Sequence, residues 1–196
     1  MNEPAMHPVE VTVNQTIAEN IRSRRTIHNF IPDRIPPRDL ILEALELANW
    51  APNHHLTEPW RYYLLGPGTK EKLCRLNADL LRAVRGDKAA DLKLQRWLEI
   101  PGWLIQTCMV SANAIRMDED YAACCCAAQN LLLYLWSQGV GCKWTTGELS
   151  RHEELYRILK LDPLQERVTG LFWYGYAAEI SVTARKPLAE KLMELP

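Results

Sequence analysis

The chain has 196 residues, 47% hydrophobic and 24% charged, with a formal net charge of -1. That length supports one substantial core, and the composition is that of an ordinary globular domain. A charge so close to zero excludes a global electrostatic case for nucleic acid or acidic membranes, so any anion site must be local.

The N-terminal stretch MNEPAMHPVEV carries acidic residues and prolines. It has neither a basic n-region nor an apolar h-region, so no secretory signal is expected and a cytoplasmic location is. Residues 1–11 read as a flexible extension of a single domain spanning 1–196. Thr12-x-x-Gln15 has the capping-box pattern and opens a short helix with Val13, Ile17 and Ile21 at helical spacing. The segment IRSRRTIHNFIPDR, Ile21 to Arg34, then concentrates Arg22, Arg24, Arg25, His28 and Arg34. Arg22 and Arg24 fall at the helix C-terminus, where a cation is worth about 0.3–1 kcal/mol. A helix end or a solvated face would account for these charges; a phosphate grip is the third reading.

Pro36-Pro37 introduce a second helix with Leu40, Ile41, Ala44, Leu45, Leu47 and Ala48 on one broad face. Pro52, in Ala51-Pro52-Asn53-His54-His55, bars its continuation. The aromatic-rich WRYYLL, from Trp60 to Leu65, reads as a strand. Gly66-Pro67-Gly68 turns the chain, and Thr69 can cap a third helix carrying Leu73, Leu76, Leu80 and Val84, with Gly86 as its stop. Another helical piece runs from Leu92 to Leu98.

Trp103 to Ser111 reads as a central strand. The acidic triplet Asp118-Glu119-Asp120 is expected before a long apolar helix from Tyr121 to Gln138, where the helix dipole favours negative charge. A helix apolar on every side needs cover on every side, sometimes from a second subunit. Cys142 to Thr146 reads as a short strand or an extended loop, Ser150-x-x-Glu153 as a second capping box for a helix through Leu159, and Val168 to Tyr174 as a buried strand. Strands alternating with helices argue for a sheet covered by helices.

No cysteine pair has C-x-x-C spacing, and three of the six (Cys124, Cys125 and Cys126) are consecutive. That suits neither a disulfide framework nor a zinc knuckle; reduced thiols filling gaps are expected, and no metal. G-x-G-x-x-G, Walker and H-E-x-x-H patterns are absent. The chain offers no evident nucleophile or acid/base pair, so any chemistry belongs to a cofactor.

Two segments favour the phosphate reading of the basic cluster. Ala51-Pro52-Asn53-His54-His55-x-x-x-Pro59-Trp60 combines a tight turn, hydrogen-bonding side chains and an aromatic wall. Gly141-x-x-Trp144-Thr145-Thr146-Gly147 sets an aromatic and two hydroxyls beside glycines, where backbone can approach a planar ligand.

The order R-R-T-x-x-x-F, A-P-N-H-x-x-x-x-P-W, W-T-T-G and a late R-K-P-L, from about Ile17 to about Leu188, resembles the nitroreductase family of FMN-dependent oxidoreductases, and most of all its compact bacterial branch. The resemblance implies an α+β fold with a central mixed β-sheet flanked by helices. It implies an intertwined homodimer with FMN at the subunit interface. By that resemblance Arg24, Arg25 and Thr26, with Arg185 and Lys186, would hold the FMN phosphate and ribityl chain. Trp50, Pro52, Asn53 and His54 would shape or contact the flavin turn. Trp144, Thr145, Thr146 and Gly147 would line the isoalloxazine, and Tyr134 to Gly139 would fall near the nicotinamide cofactor. His28 stands where the family often has a second arginine, and Trp50 where a compact relative has a basic residue. The implied reaction is ping-pong: NADPH or NADH passes hydride to flavin N5, and a nitroaromatic, quinone or other small acceptor follows. The alternatives are a flavin-dependent dehydrogenase, a flavin-modifying enzyme, and a non-catalytic binder of nucleotide or nucleic acid.

Overall fold

The computed structural model describes residues 16–196; the Thr12–Gln15 pattern, Val13 and the N-terminal extension lie outside them. Helix α1 (Ile17–Ser23) opens on its own capping box. Thr16 N donates to Glu19 Oε2 at 2.9 Å, and Glu19 N donates to Thr16 Oγ1 at 3.3 Å. Arg22 lies in the last turn and Arg24 is the C-cap, as the sequence suggests.

Four strands form the sheet: β1 (Trp60–Leu64), β2 (Gly102–Met109), β3 (Gly141–Thr145) and β4 (Glu166–Gly175), in the order β1-β2-β4-β3. Each corresponds to a segment expected to be extended, β3 settling as a strand where the sequence left strand or extended loop open. Every pairing between them is antiparallel. Among the described residues parallel pairing, the mixed element of the expected sheet, enters only through an isolated bridge between Thr26 and Cys142, where Ile27 N donates to Cys142 O at 3.1 Å.

Strand β2 is central and buried on both faces. Leu104 and Cys108 face one core with Phe172, α2 (Arg38–Ala48) and α5 (Ala114–Ser137). Trp103 and Ile105 face a second core, under α3 (Pro67–Arg85), α4 (Asp87–Leu98) and α6 (Glu153–Leu159). The alternation follows from the two-residue period of a strand, and each fully buried Leu or Phe contributes about 1.5–3 kcal/mol. The helices therefore cover both faces.

The helix starts differ from the sequence expectation in physical ways. Helix α3 begins at Pro67 with Gly66 as N-cap, so Thr69 lies within the first turn and does not cap. Proline suits that first position because its missing N–H would have no partner there. Gly86 does end α3, at φ 77°, and α4 starts directly after it; Val84, expected on the apolar stripe, is exposed. Helix α5 begins seven residues before the expected Tyr121, because Asn113 Oδ1 accepts from Ile115 N and Arg116 N and caps it. The acidic triplet therefore lies inside α5, and Asp120 is buried and accepts a hydrogen bond from Thr57 Oγ1 at 2.6 Å. Helix α6 is capped by His152, whose Nδ1 accepts from Glu154 N; Ser150 instead closes a 3-10 turn by donating to Gly147 O at 2.7 Å.

All six cysteines are free. Cys124 is buried, Cys125 intermediate and Cys126 exposed, as consecutive helical positions require. Among the described residues no helix is long and apolar enough to cross a membrane.

Candidate functional site

The basic segment begins where α1 ends. Asn20 Nδ2 donates to Leu133 O at 2.9 Å, and Trp136 Nε1 donates to Ser23 Oγ at 2.9 Å, which fixes the end of α1 to the C-terminal half of α5. Arg24 leaves this junction half-buried. Burial holds its guanidinium below the ordinary range; the positive charges of Arg185 and Arg25 push the same way, and the Cys142 sulfur opposes them. The charge of the late Arg185 is thus felt at Arg24, although most of the chain separates the two in sequence. None of the ion pairs among the described residues involves Arg24, Arg25 or Arg185. Arg25 donates to Arg22 O at 2.6 Å and to Arg24 O at 3.0 Å, which folds it over the helix end.

Thr26 lies beside Cys142, so the basic segment runs along the outer edge of β3. Cys142 is fully buried, and burial pushes its thiol up to about 12. Two residues on, Trp144 stacks on Phe172 with ring centroids 5.4 Å apart, and its Nε1 donates to Thr169 O at 3.2 Å. Thr145 is half-buried, Thr146 and Gly147 are exposed, and Thr146 lines a cavity of about 550 Å³ with Tyr121, Ser150 and Arg167. Thr26, Trp144, Thr145, Thr146 and Gly147, with Arg24 two residues before Thr26, therefore lie along or next to one edge of the sheet. His28 is turned elsewhere: its Nδ1 lies 3.3 Å from Lys143 Nζ.

The turn after α2 forms the other group. Trp50 is 78% exposed and Pro52 is exposed. Asn53 organises the turn, donating from Nδ2 to Ala51 O at 3.3 Å and accepting at Oδ1 from Glu58 N at 3.0 Å. His54 stacks on His55 at 3.9 Å and pairs through Nδ1 with Glu119 at 3.0 Å. His55, Leu56 and Glu58 have φ of 56°, 51° and 41°, a left-handed conformation costing about 1–2 kcal/mol for each non-glycine residue. Such strain is held only where surrounding structure enforces it, often at functional sites.

In one chain these groups stand apart. The strained turn leads into β1, one edge of the sheet, while Trp144 lies on β3, the other edge. Four strands at about 4.8 Å spacing put those edges about 14 Å apart. Along α5 the separation is greater, because His54 is tied to Glu119 and Ser23 to Trp136. At 1.5 Å per residue that is about 25 Å of helix.

Sequence reasoning missed Gly170, Lys143 and the Glu119 and Asp120 anchors of the turn. The period-2 alternation of β3 carried the signal for Lys143, since it places that side chain opposite Cys142 and Trp144. Nothing local marked the others.

The Nitroreductase family model matches residues 21–176, most of the chain. The chain belongs to the nitroreductase family. A Bacillus subtilis (strain 168) protein named as an NAD(P)H nitroreductase, YfhC, is 30% identical over 192 residues, covering 95% of this chain and 97% of that one. The structure of a nitroreductase-like family protein from Bacillus cereus is 33% identical, covers 95% of this chain and 99% of its own, and superposes with a TM-score of 0.81. A Desulfovibrio desulfuricans nitroreductase-fold structure, solved in complex with FMN, shares the fold at a TM-score of 0.73 and 22% identity, covering 94% and 99% of the two chains. The nitroreductase architecture expected from the four sequence motifs is thus the observed one.

Proposed function

We propose that this nitroreductase-family chain is an FMN-dependent NAD(P)H oxidoreductase whose second substrate is a small electron acceptor such as a nitroaromatic or a quinone. The observation that carries the reading is the basic segment Arg24-Arg25-Thr26 laid along the aromatic edge strand β3, with no carboxylate paired to either arginine and the positive charge of Arg185 felt at Arg24. A phosphate dianion supplies the missing counter-charge, and the guanidinium fork matches its oxygens bidentately.

The residues fit the cofactor. Arg24, Arg25 and Thr26 with Arg185 and Lys186 would hold the phosphate end. Trp144, locked by Phe172 and Thr169, offers a fixed apolar wall, and Thr145, Thr146 and Gly147 offer hydroxyls and open backbone for the polar edge of the ring. When bound, FMN supplies hydride acceptance from a reduced nicotinamide and its delivery to the acceptor. The chain's own task is orientation and the exclusion of water.

Trp50, Pro52, Asn53 and His54 would reach the same flavin from a second copy, at a homodimer interface. Their distance from Arg24 within one chain supports this. So do the exposed Trp50 and Leu56 on the strained turn. A third support is the C-terminal run 181–196, exposed throughout and carrying Val182, Leu188, Leu192, Met193 and Leu195. A nucleic-acid role is disfavoured because Glu19 and Asp33 flank the basic segment and the net charge is -1.

The test is reconstitution. Protein dialysed with FMN and freed of excess should retain about one flavin per chain and sediment as a dimer. A chain that stays colourless after this treatment overturns the reading.

A further inference from the structure

On the face of β3 opposite Cys142 and Trp144, four basic side chains from three distant parts of the chain converge. Lys143 Nζ lies 3.3 Å from His28 Nδ1 and 4.8 Å from the centre of the Trp173 ring. Lys93, on α4, places its Nζ 5.0 Å over Trp97, and the Trp97 and Trp173 rings meet edge-on at 4.8 Å. Arg96, one turn along α4, donates to Asn29 Oδ1 at 3.3 Å, beside His28. Each ammonium is thus fixed over an aromatic face and cannot swing freely into solvent.

Among the described residues no ion pair involves Lys93, Arg96 or Lys143. Carboxylates share the cavities without pairing to these cations. Glu99 and Glu179 line a cavity of about 370 Å³ with His28 and Arg96, and Glu148 lines a second, of about 520 Å³, with Lys93 and Arg96. Glu179 is already engaged by Asn29 Nδ2 at 2.6 Å. Burial first, then nearby positive charge, destabilises the charged forms of both lysines: Arg96 acts on each, Arg85 adds to the field at Lys93, and Lys93 acts on Lys143. A solvated surface patch would show fully exposed lysines free of one another. Here both are half-buried, each over one of the two touching rings Trp97 and Trp173, an arrangement that a bound anion relieves.

We infer that His28, Lys93, Arg96 and Lys143 form a binding site for a phosphoryl dianion, distinct from the basic segment at Arg24. Two ammonium groups and one guanidinium match a dianion better than a single carboxylate, and Arg96, which lines both cavities, can present its fork to two oxygens. The dianion is either free phosphate or a phosphate carried by a nucleotide.

The experiment is calorimetric titration of the purified protein at low ionic strength with saturating FMN present, so that a phosphate position at Arg24 is filled. The probes are inorganic phosphate, adenosine 5′-monophosphate and adenosine 2′,5′-bisphosphate. At least one should bind saturably, and Arg96→Gln and Lys143→Gln should each raise its Kd by about tenfold or more. Equal affinity for inorganic phosphate and the nucleotides identifies free phosphate as the ligand. Preference for the 2′-phosphate probe over the other two identifies a nucleotide source. Arg96 is exposed, so its replacement leaves the core untouched, and unchanged thermal unfolding verifies this. The site is overturned if none of the three probes binds, or if both variants bind as the parent does.

Discussion

Gly170 of β4 lies directly against the indole of Trp144 on β3: a Cβ at position 170 would sit 1.9 Å from Trp144 Nε1. The register places Phe172 opposite Trp144, so one ring face rests on Phe172 while the indole edge crosses Gly170. Gly170→Ala must push the indole aside and break its bond to Thr169 O. The expected stability loss is about 1–3 kcal/mol, read by denaturant unfolding, together with weaker FMN retention. Gly68→Ala is the contrast. It meets nothing within 4 Å in the first turn of α3 and should raise stability by up to about 1 kcal/mol.

Arg24→Ala removes one guanidinium of the basic segment. FMN affinity should fall by about 10- to 100-fold, the worth of a charge-assisted hydrogen bond, while the unfolding midpoint moves little. Flavin fluorescence titration measures it, and an unchanged Kd would refute the phosphate assignment.

A site shared between two copies has a statistical signature. Arg24→Ala spoils one half of each site and Trp50→Ala the other, so either variant alone should bind FMN poorly. Equimolar co-refolding gives half mixed dimers, each with one intact site, and should restore about a quarter of the flavin sites. No recovery above the separate variants would mean that both groups act within one chain.

The His28 ring is held below the ordinary histidine range by burial first, then by Lys143 of β3 and Arg96 of α4, with Glu179 opposing. The unfolded chain binds this proton near pH 6.5 and the folded chain only at lower pH. Stability is therefore unaffected above about 6.5 and falls as pH drops below it toward the folded-state value. Histidine proton resonances followed against pH should place the His28 midpoint below the ordinary histidine value of about 6.5, and His28→Gln should flatten the acid limb of the unfolding profile. A His28 midpoint above 6.5 would show that the lysine and arginine charges do not reach it.

Much of this was legible in the sequence, because the signals were local and periodic. WRYYLL and VTGLFWY became β1 and β4 since aromatic and β-branched residues suit a half-buried pleated surface. The helix starts were harder. Asn113 capped α5 while the acidic triplet drew attention, and the burial of Asp120 depends on Thr57, which no local pattern connects to it. Arg24 and Arg185 could be associated in advance only through family resemblance. The charge of Arg185 reaches Arg24 only through the fold, which no local pattern encodes. Lys143 carried no local mark: Cys142 and Trp144 read as one face of β3, and what meets the opposite face, His28 and the Trp173–Trp97 rings, comes from distant segments.

The most direct test of the central claim is the visible spectrum of FMN-reconstituted protein under anaerobic conditions. The protein should be yellow, its flavin absorbance should bleach on adding NADPH or NADH, and a quinone or nitroaromatic should restore the colour. Flavin that stays oxidised with either nicotinamide in excess would contradict an NAD(P)H-driven oxidoreductase.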